Sequence, residues 1–147
     1  METVDNRPIR SSYWVLRWTF GLVPLLAGLD KFTNLLTFWP HYLSPTFARM
    51  IPLSPGTFMH LVGVVEVIAG LLVLSKLTRV GAYVVMAWLI CIAINLVSMG
   101  MFDIAVRDLA LAAGAFALGA LESALADAGV HSRAHRGATT TSAAATS

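Results

Sequence analysis

The sequence predicts an all-α integral membrane protein that folds as a four-helix bundle. Hydrophobic residues make up 57% of the 147 residues and charged residues only 12%, about half the charged fraction of an ordinary soluble domain. Four apolar stretches each approach the length of about 20 residues that a helix needs to cross a bilayer core. Alternating strands of about ten residues, which a transmembrane barrel requires, are not evident. Spanning segments of this length are therefore predicted to be helices.

The predicted spans cover residues 13–31, 57–75, 80–98 and 104–122. A segment of residues 1–12 precedes them, and a tail of residues 123–147 follows them. No small-residue cleavage site follows the first apolar stretch, so we expect it to be retained rather than removed as a signal peptide. The tail ends in ATTTSAAATS, which offers little apolar surface to bury and is therefore predicted to be disordered at its end.

Basic residues predict the orientation, because lysine and arginine favour the cytoplasmic side of short loops. Six of them share one side: Arg7, Arg10, Lys76, Arg79, Arg133 and Arg136. Three fall on or near the other side: Lys31, Arg49 and Arg107. Both termini, and with them the N-terminal segment and the tail, are thus predicted to be cytoplasmic.

The connection between the first two spans, residues 32–56, is apolar but broken by prolines. Ser54-Pro55 predicts the start of the second span, and Ser44-Pro45 predicts a short helix over about 45–50. The connection carries aromatic side chains of the kind that settle at headgroup level: Phe32, Phe38, Trp39, Tyr42 and Phe47. We expect it to lie on the outer membrane surface as an anchor, a lid over a pocket or a docking surface.

Several classes of function are not expected. The basic residues form no run or patch, so no nucleic-acid partner is predicted. Cys91 is the single cysteine, which leaves no disulfide framework and no paired-cysteine metal site. No nucleophile with a base, phosphate loop or zinc motif is present in the sequence, so we predict no catalytic residue, no metal site and no covalently bound cofactor.

Seven polar side chains fall within the predicted spans: Arg17, Asp30, Lys31, Glu66, Asn95, Arg107 and Asp108. A charge at the centre of a membrane helix costs about 2.5–3.5 kcal/mol on translocon scales, so each one needs compensation. Helical spacing places the charged residues of the first, second and fourth spans on faces that also carry small residues, which suit close helix packing. Arg17 lies about a turn from the cytoplasmic edge. The predicted topology places five residues in the outer third with Glu66 below them, and we predict that these six form an outward-facing polar cluster: Asp30, Lys31, Glu66, Asn95, Arg107 and Asp108.

This cluster has two interpretations. It can hold the helices in register through ion pairs and hydrogen bonds. Alternatively, it can line a pocket for a small lipid-soluble molecule with a polar head. A quinone would suit such a pocket, because its carbonyl groups need donors such as Lys31 or Arg107 and its reduction needs proton carriers such as Glu66 or Asp108.

Three segments of the sequence resemble the DoxX/DoxD-like family of small four-helix membrane proteins: LRWTFGLVPLLAGLDKF, LVGVVEVIAGLLVLSKLTRVGA and RDLALAAGAFAL. The likeness covers about residues 15–122. Its most specific elements are Arg17 with the later pair Gly28 and Lys31, Glu66 with Gly70, and the run Arg107, Asp108, Leu109. Pro24, the long aromatic connection and the extended tail depart from the family pattern.

The resemblance implies a subunit or partner of a membrane redox complex, as in thiosulfate:quinone oxidoreductase, in a bacterial inner membrane. We therefore expect a membrane subunit or anchor that contacts quinone, is not catalytic alone, and has the bilayer and other redox subunits as partners. Two alternatives stay open. The polar cluster can conduct a proton or small solute, or the chain can be a purely structural bundle in a larger complex.

Overall fold

The computed structural model describes the backbone of residues 7–144 and the side chains of residues 7–128. This part of the chain contains five α-helices and no strand, which confirms the all-α prediction. The helices are α1 (Arg7–Asp30), α2 (Pro45–Met50), α3 (Pro55–Leu74), α4 (Thr78–Ser98) and α5 (Phe102–Ala144). A 3-10 turn at Trp39–Tyr42 precedes α2.

Both predicted helix starts after the first span are confirmed. Ser44 Oγ accepts a hydrogen bond from Thr46 N at 3.3 Å and caps the short helix α2. Ser54 Oγ accepts from Thr57 N at 3.2 Å and caps α3. In each case a proline follows the cap. An N–H at this position has no partner within the helix, so no hydrogen bond is lost there by using proline.

The long helices associate as two pairs, α1 with α3 and α4 with α5, and the pairs join mainly through α3 and α4. An apolar core fills the region where the four helices meet. Its buried members are Tyr13, Phe20, Ala69, Val73, Ala82, Val85, Ala115 and Leu118. The segment between α1 and α3, residues 31–54, lies across one end of the bundle; we call it the connecting segment, and that end the capped end.

Three helices in the described part of the chain are long and apolar enough to cross a membrane: Pro55–Leu74, Thr78–Ser98 and Phe102–Ala128. The protein is thus a multi-pass helical membrane protein. Helix α1 is not among these three, because charged and polar residues interrupt its apolar sequence. Its 24 residues span about 36 Å, so a fourth crossing and the orientation of the bundle stay predictions.

Glycines bring α1 and α3 into close contact. A Cβ atom built at Gly28 would lie 2.6 Å from the Gly63 carbonyl oxygen, and one built at Gly63 would lie 2.6 Å from the Gly28 carbonyl oxygen. A Cβ at Gly70 would lie 2.5 Å from the Gly21 carbonyl oxygen. The helical spacing predicted that these small residues face inward, and the structure confirms it. Any side chain larger than hydrogen would push the two helices apart.

The outer helices are longer than predicted. Helix α1 begins at Arg7 instead of residue 13, and α5 continues past residue 122 to Ala144. The sequence after residue 122 is rich in alanine, the strongest helix former, and the helix therefore continues through most of the predicted tail. Residues 145–147, the last of the tail that we predicted to be disordered, lie outside the described residues.

Candidate functional site

Arg17 lies apart from the side chains of the predicted polar cluster. Its Nε donates to the Val73 carbonyl oxygen at 3.2 Å, and its Nη2 donates to those of Leu74 and Ser75 at 2.8 and 2.7 Å. Carbonyl groups at the C-terminal end of a helix receive no hydrogen bond from the helix itself, and here the Arg17 guanidinium donates to them. Fourteen residues separate it from Lys31, about 21 Å along α1. Arg17 is therefore separate from the other candidate site residues.

Lys31 and Glu66 form a buried ion pair at the capped end. Lys31 Nζ lies 2.6 Å from Glu66 Oε2, and the two residues are only 4% and 5% exposed. Trp88 Nε1 donates to Glu66 Oε1 at 3.4 Å. The Lys31 ammonium lies 3.5 Å from the centre of the Trp39 ring, within the range of a cation–π interaction. Two tryptophans thus flank the pair.

Asp30 holds Trp39 in this position. Its carboxylate accepts hydrogen bonds from Trp39 Nε1 at 2.8 Å and from the backbone N–H groups of Leu35 and Leu36 at 2.9 and 3.1 Å. Hydrogen bonds to a carboxylate are stronger than those between neutral groups. One buried acid therefore shapes the first half of the connecting segment and sets the indole over Lys31.

Asn95 attaches the second half of the connecting segment to α4. Its Oδ1 accepts from Ser44 N at 3.0 Å, and its Nδ2 donates to the Tyr42 carbonyl oxygen at 2.6 Å. Both bonds join positions more than fifty residues apart in the chain. The connecting segment is consequently fixed to α1 through Asp30 and to α4 through Asn95.

Arg107 and Asp108 form a looser pair in the second turn of α5. Arg107 Nε lies 3.7 Å from Asp108 Oδ1, and the two side chains are 67% and 10% exposed. The Asp108 carboxylate is therefore largely buried, and its contact with the Arg107 guanidinium is longer than that of the Lys31–Glu66 pair. Its neighbour Arg107 extends its guanidinium towards the surface, as long basic side chains do near the ends of membrane helices.

A cavity of about 470 Å³ lies beneath the connecting segment, between α3, α4 and α5. This volume is within the usual range for sites that bind small molecules. Apolar side chains dominate its walls: Leu43, Phe47, Ile51, Phe58, Met59, Val62, Ile92, Leu96 and Ile104. Its polar lining comes from Lys31, Thr37, Trp39, Tyr42, Glu66, Trp88, Asn95, Arg107 and Asp108.

Five of the seven predicted site residues therefore line one cavity: Lys31, Glu66, Asn95, Arg107 and Asp108. Asp30 does not line the cavity, but it positions Trp39, which does. The prediction did not include the two tryptophans among the site residues. Trp88 lies seven positions, or about two helical turns, before Asn95, and this spacing could have placed both on one face of α4.

The described residues place no three His, Cys, Asp or Glu side chains where they could hold a metal ion together. Within the same part of the chain, every fully buried side-chain nitrogen or oxygen has a hydrogen-bond partner. The polar groups at the cavity are thus compensated by the protein itself, while the ammonium of Lys31 keeps N–H donors beyond the one that Glu66 uses.

The apolar helices and the polar-lined cavity between them define a helical membrane protein with an internal cavity. The model of the DoxX family matches residues 13–99, which is more than half of the chain. The protein therefore belongs to the DoxX family, and the resemblance drawn from its motifs is confirmed. We found no match among curated proteins or solved structures. The matched range includes Lys31, Glu66 and Asn95, and it ends before Arg107 and Asp108.

Proposed function

We propose that this DoxX family protein is a membrane subunit of a redox complex and that its cavity receives the head group of a quinone. The observation that carries the proposal is the cavity itself. It joins apolar walls to a buried cation–carboxylate pair, Lys31 with Glu66. A quinone combines the same two properties, because its ring carries two carbonyl acceptors and its chain is apolar.

The residues around the cavity suit quinone chemistry. A Lys31 N–H that is not used by Glu66 can donate to a ring carbonyl. Reduction of a quinone to a quinol takes up two electrons and two protons. Glu66 and Asp108 are carboxyl groups at the cavity that can pass protons, and a partner subunit with a redox centre would supply the electrons. Family membership supports this placement in a complex by analogy.

A structural role is the second candidate, and one observation favours it. The Lys31–Glu66 pair is short and buried, and the described buried polar atoms are all hydrogen-bonded, as expected of a bundle whose charges only hold helices together. Transport is less well supported. The apolar core that includes Ala69, Val73 and Val85 fills the bundle between the cavity and the end at which Arg17 lies.

Tryptophan fluorescence tests the proposal, because two of the four tryptophans line the cavity. Decylubiquinone, a short-chain quinone, should quench Trp39 and Trp88 saturably in protein reconstituted into lipid nanodiscs. The matched variants are Trp88→Phe, which should lose a large part of the saturable quenching, and Trp14→Phe/Trp18→Phe, which should keep it because both residues are exposed outside the cavity. Quenching that rises linearly with quinone in every variant would refute quinone binding.

A further inference from the structure

One residue in the membrane-spanning part of α4 connects the cavity lining with the protein surface. Cys91 lines the cavity and is also exposed. It lies seven residues before the end of α4 at Ser98, about 10 Å along the helix axis. Ile90 and Ile94, next to it on α4, are exposed apolar residues that do not line the cavity. Exposed apolar residues on a spanning helix face lipid, so the exposed surface at Cys91 faces the hydrocarbon.

The connecting segment covers the cavity at the capped end. Trp39, Tyr42 and Phe47 from this segment line the cavity. Asp30 accepts a hydrogen bond from the Trp39 indole N–H, and Asn95 donates one to the backbone carbonyl oxygen of Tyr42. A ligand that came from water at this end would have to displace a segment that Asp30 and Asn95 fix by hydrogen bonds.

We infer that the ligand enters from the bilayer through an opening beside Cys91, and that the size of side chain 91 determines which head groups pass. This inference rests on the proposed function, since it concerns the route of the same ligand. It restricts the ligand to membrane-dissolved molecules with a ring-sized polar head and an apolar chain. The head lies between Lys31 and Asp108, and the chain extends past Cys91 into lipid. Molecules with the same head but no chain bind poorly.

A size series at position 91 tests the route. The rate of decylubiquinone association, followed by stopped-flow tryptophan quenching in nanodiscs, should decrease from Cys91→Ala to Cys91→Leu to Cys91→Phe. We expect the phenylalanine variant to associate about tenfold more slowly, within the range over which mutants change association rates. Dissociation should slow by a similar factor, because the ligand leaves by the same route. The affinity should therefore change much less than either rate.

Ile94→Phe is the matched control, because it adds an aromatic ring to the same helix outside the cavity, and its association rate should equal that of the wild type. If Cys91→Phe binds saturably at the wild-type rate, the route is wrong and the proposed function stands. The same conclusion follows if Arg107→Ala, at the other exposed lining residue, changes the rate while the Cys91 series does not. A wild-type protein without saturable quenching would overturn the proposed function and the route together.

Discussion

Lys31 is a cation in an almost fully buried position, and two neighbours compensate it. Glu66 supplies the opposite charge at 2.6 Å, and Trp39 presents the face of its ring at 3.5 Å. The carboxylate of Asp30, the residue before Lys31, instead accepts hydrogen bonds from N–H groups of the connecting segment. Two adjacent residues of opposite charge thus have separate tasks. One forms the ion pair at the cavity, and the other positions the ring that covers it.

Replacing Glu66 by glutamine should destabilise the protein, because the buried Lys31 ammonium loses its counter-charge. Breaking a buried pair in this way costs about 3–5 kcal/mol. Thermal unfolding in mild detergent measures the effect. Asp103→Asn, at an exposed acid near the start of α5, is the control and should change stability by at most about 0.5 kcal/mol.

The double variant Lys31→Met/Glu66→Gln separates a structural pair from a group that acts on ligand. Removing both charges should recover most of the stability lost in Glu66→Gln, since replacing a buried pair by uncharged groups is often neutral. Quinone binding should nevertheless be weaker than in the wild type, because the double variant lacks the Lys31 donor and the Glu66 carboxyl group. If Glu66→Gln unfolds at the wild-type temperature, Glu66 is not the counter-charge on which Lys31 depends.

The sequence was informative about which polar residues matter and less informative about their partners. Glu66 and Lys31 stood out because a charge in an apolar helix needs compensation. Their pairing across 35 positions depends on how α1 and α3 pack, which no local pattern specifies. Arg17 shares a helix face with Lys31, but residues on one helix face can lie at different depths in the membrane. The structure therefore separates two of the candidate site residues.

Helices α1 and α3 pack backbone against backbone beside the site. Their close approach at Gly28 and Gly63 sets the distance between the two residues of the ion pair, since Lys31 lies three positions after Gly28 and Glu66 three positions after Gly63. A Cβ at Gly63 would also lie 3.1 Å from the Cβ atom of Lys31. Helix spacing and ion-pair length are thus coupled.

Gly63→Ala should therefore destabilise the bundle and weaken quinone binding together. Forcing an extra methyl group into a packed contact costs about 1–3 kcal/mol, and the contact here is with backbone, which cannot rotate away. Gly56→Ala is the matched control on the same helix, because a Cβ there has no neighbour within 4 Å. Its stability should change by about 1 kcal/mol at most. Equal melting temperatures for the two variants would show that α1 and α3 separate without cost.

The connecting segment illustrates what sequence patterns predict for an irregular element. Its aromatic composition suggested membrane anchoring, a lid or a docking surface, and its Ser-Pro pair located α2 correctly. Its contacts with the bundle were not predictable, because they come from single side chains far away in the chain. In the structure it lies over the cavity, held by Asp30 and Asn95, an arrangement that favours the lid among the three predicted roles.

The described part of the chain combines an apolar exterior with a polar-lined cavity near one end. Three helices of the described part have the length and composition of membrane spans, and family membership places the chain among DoxX proteins. Composition alone predicted the membrane class, because so few charged residues cannot cover a water-soluble surface. A pocket was one of two interpretations of the polar cluster, but its volume could not be predicted, because it depends on the packing of three helices and the connecting segment at once.

The central claim is that this cavity binds a quinone head group, and photolabelling tests it most directly. A quinone with a photoreactive group on its ring would be irradiated with the protein in nanodiscs, and the labelled peptides would be located by mass spectrometry. We predict labels near Trp39, Val62 and Ile92, and their loss in excess decylubiquinone. Labels confined to exposed residues such as Trp18 and Leu22 on α1, and undiminished by excess decylubiquinone, would contradict the claim.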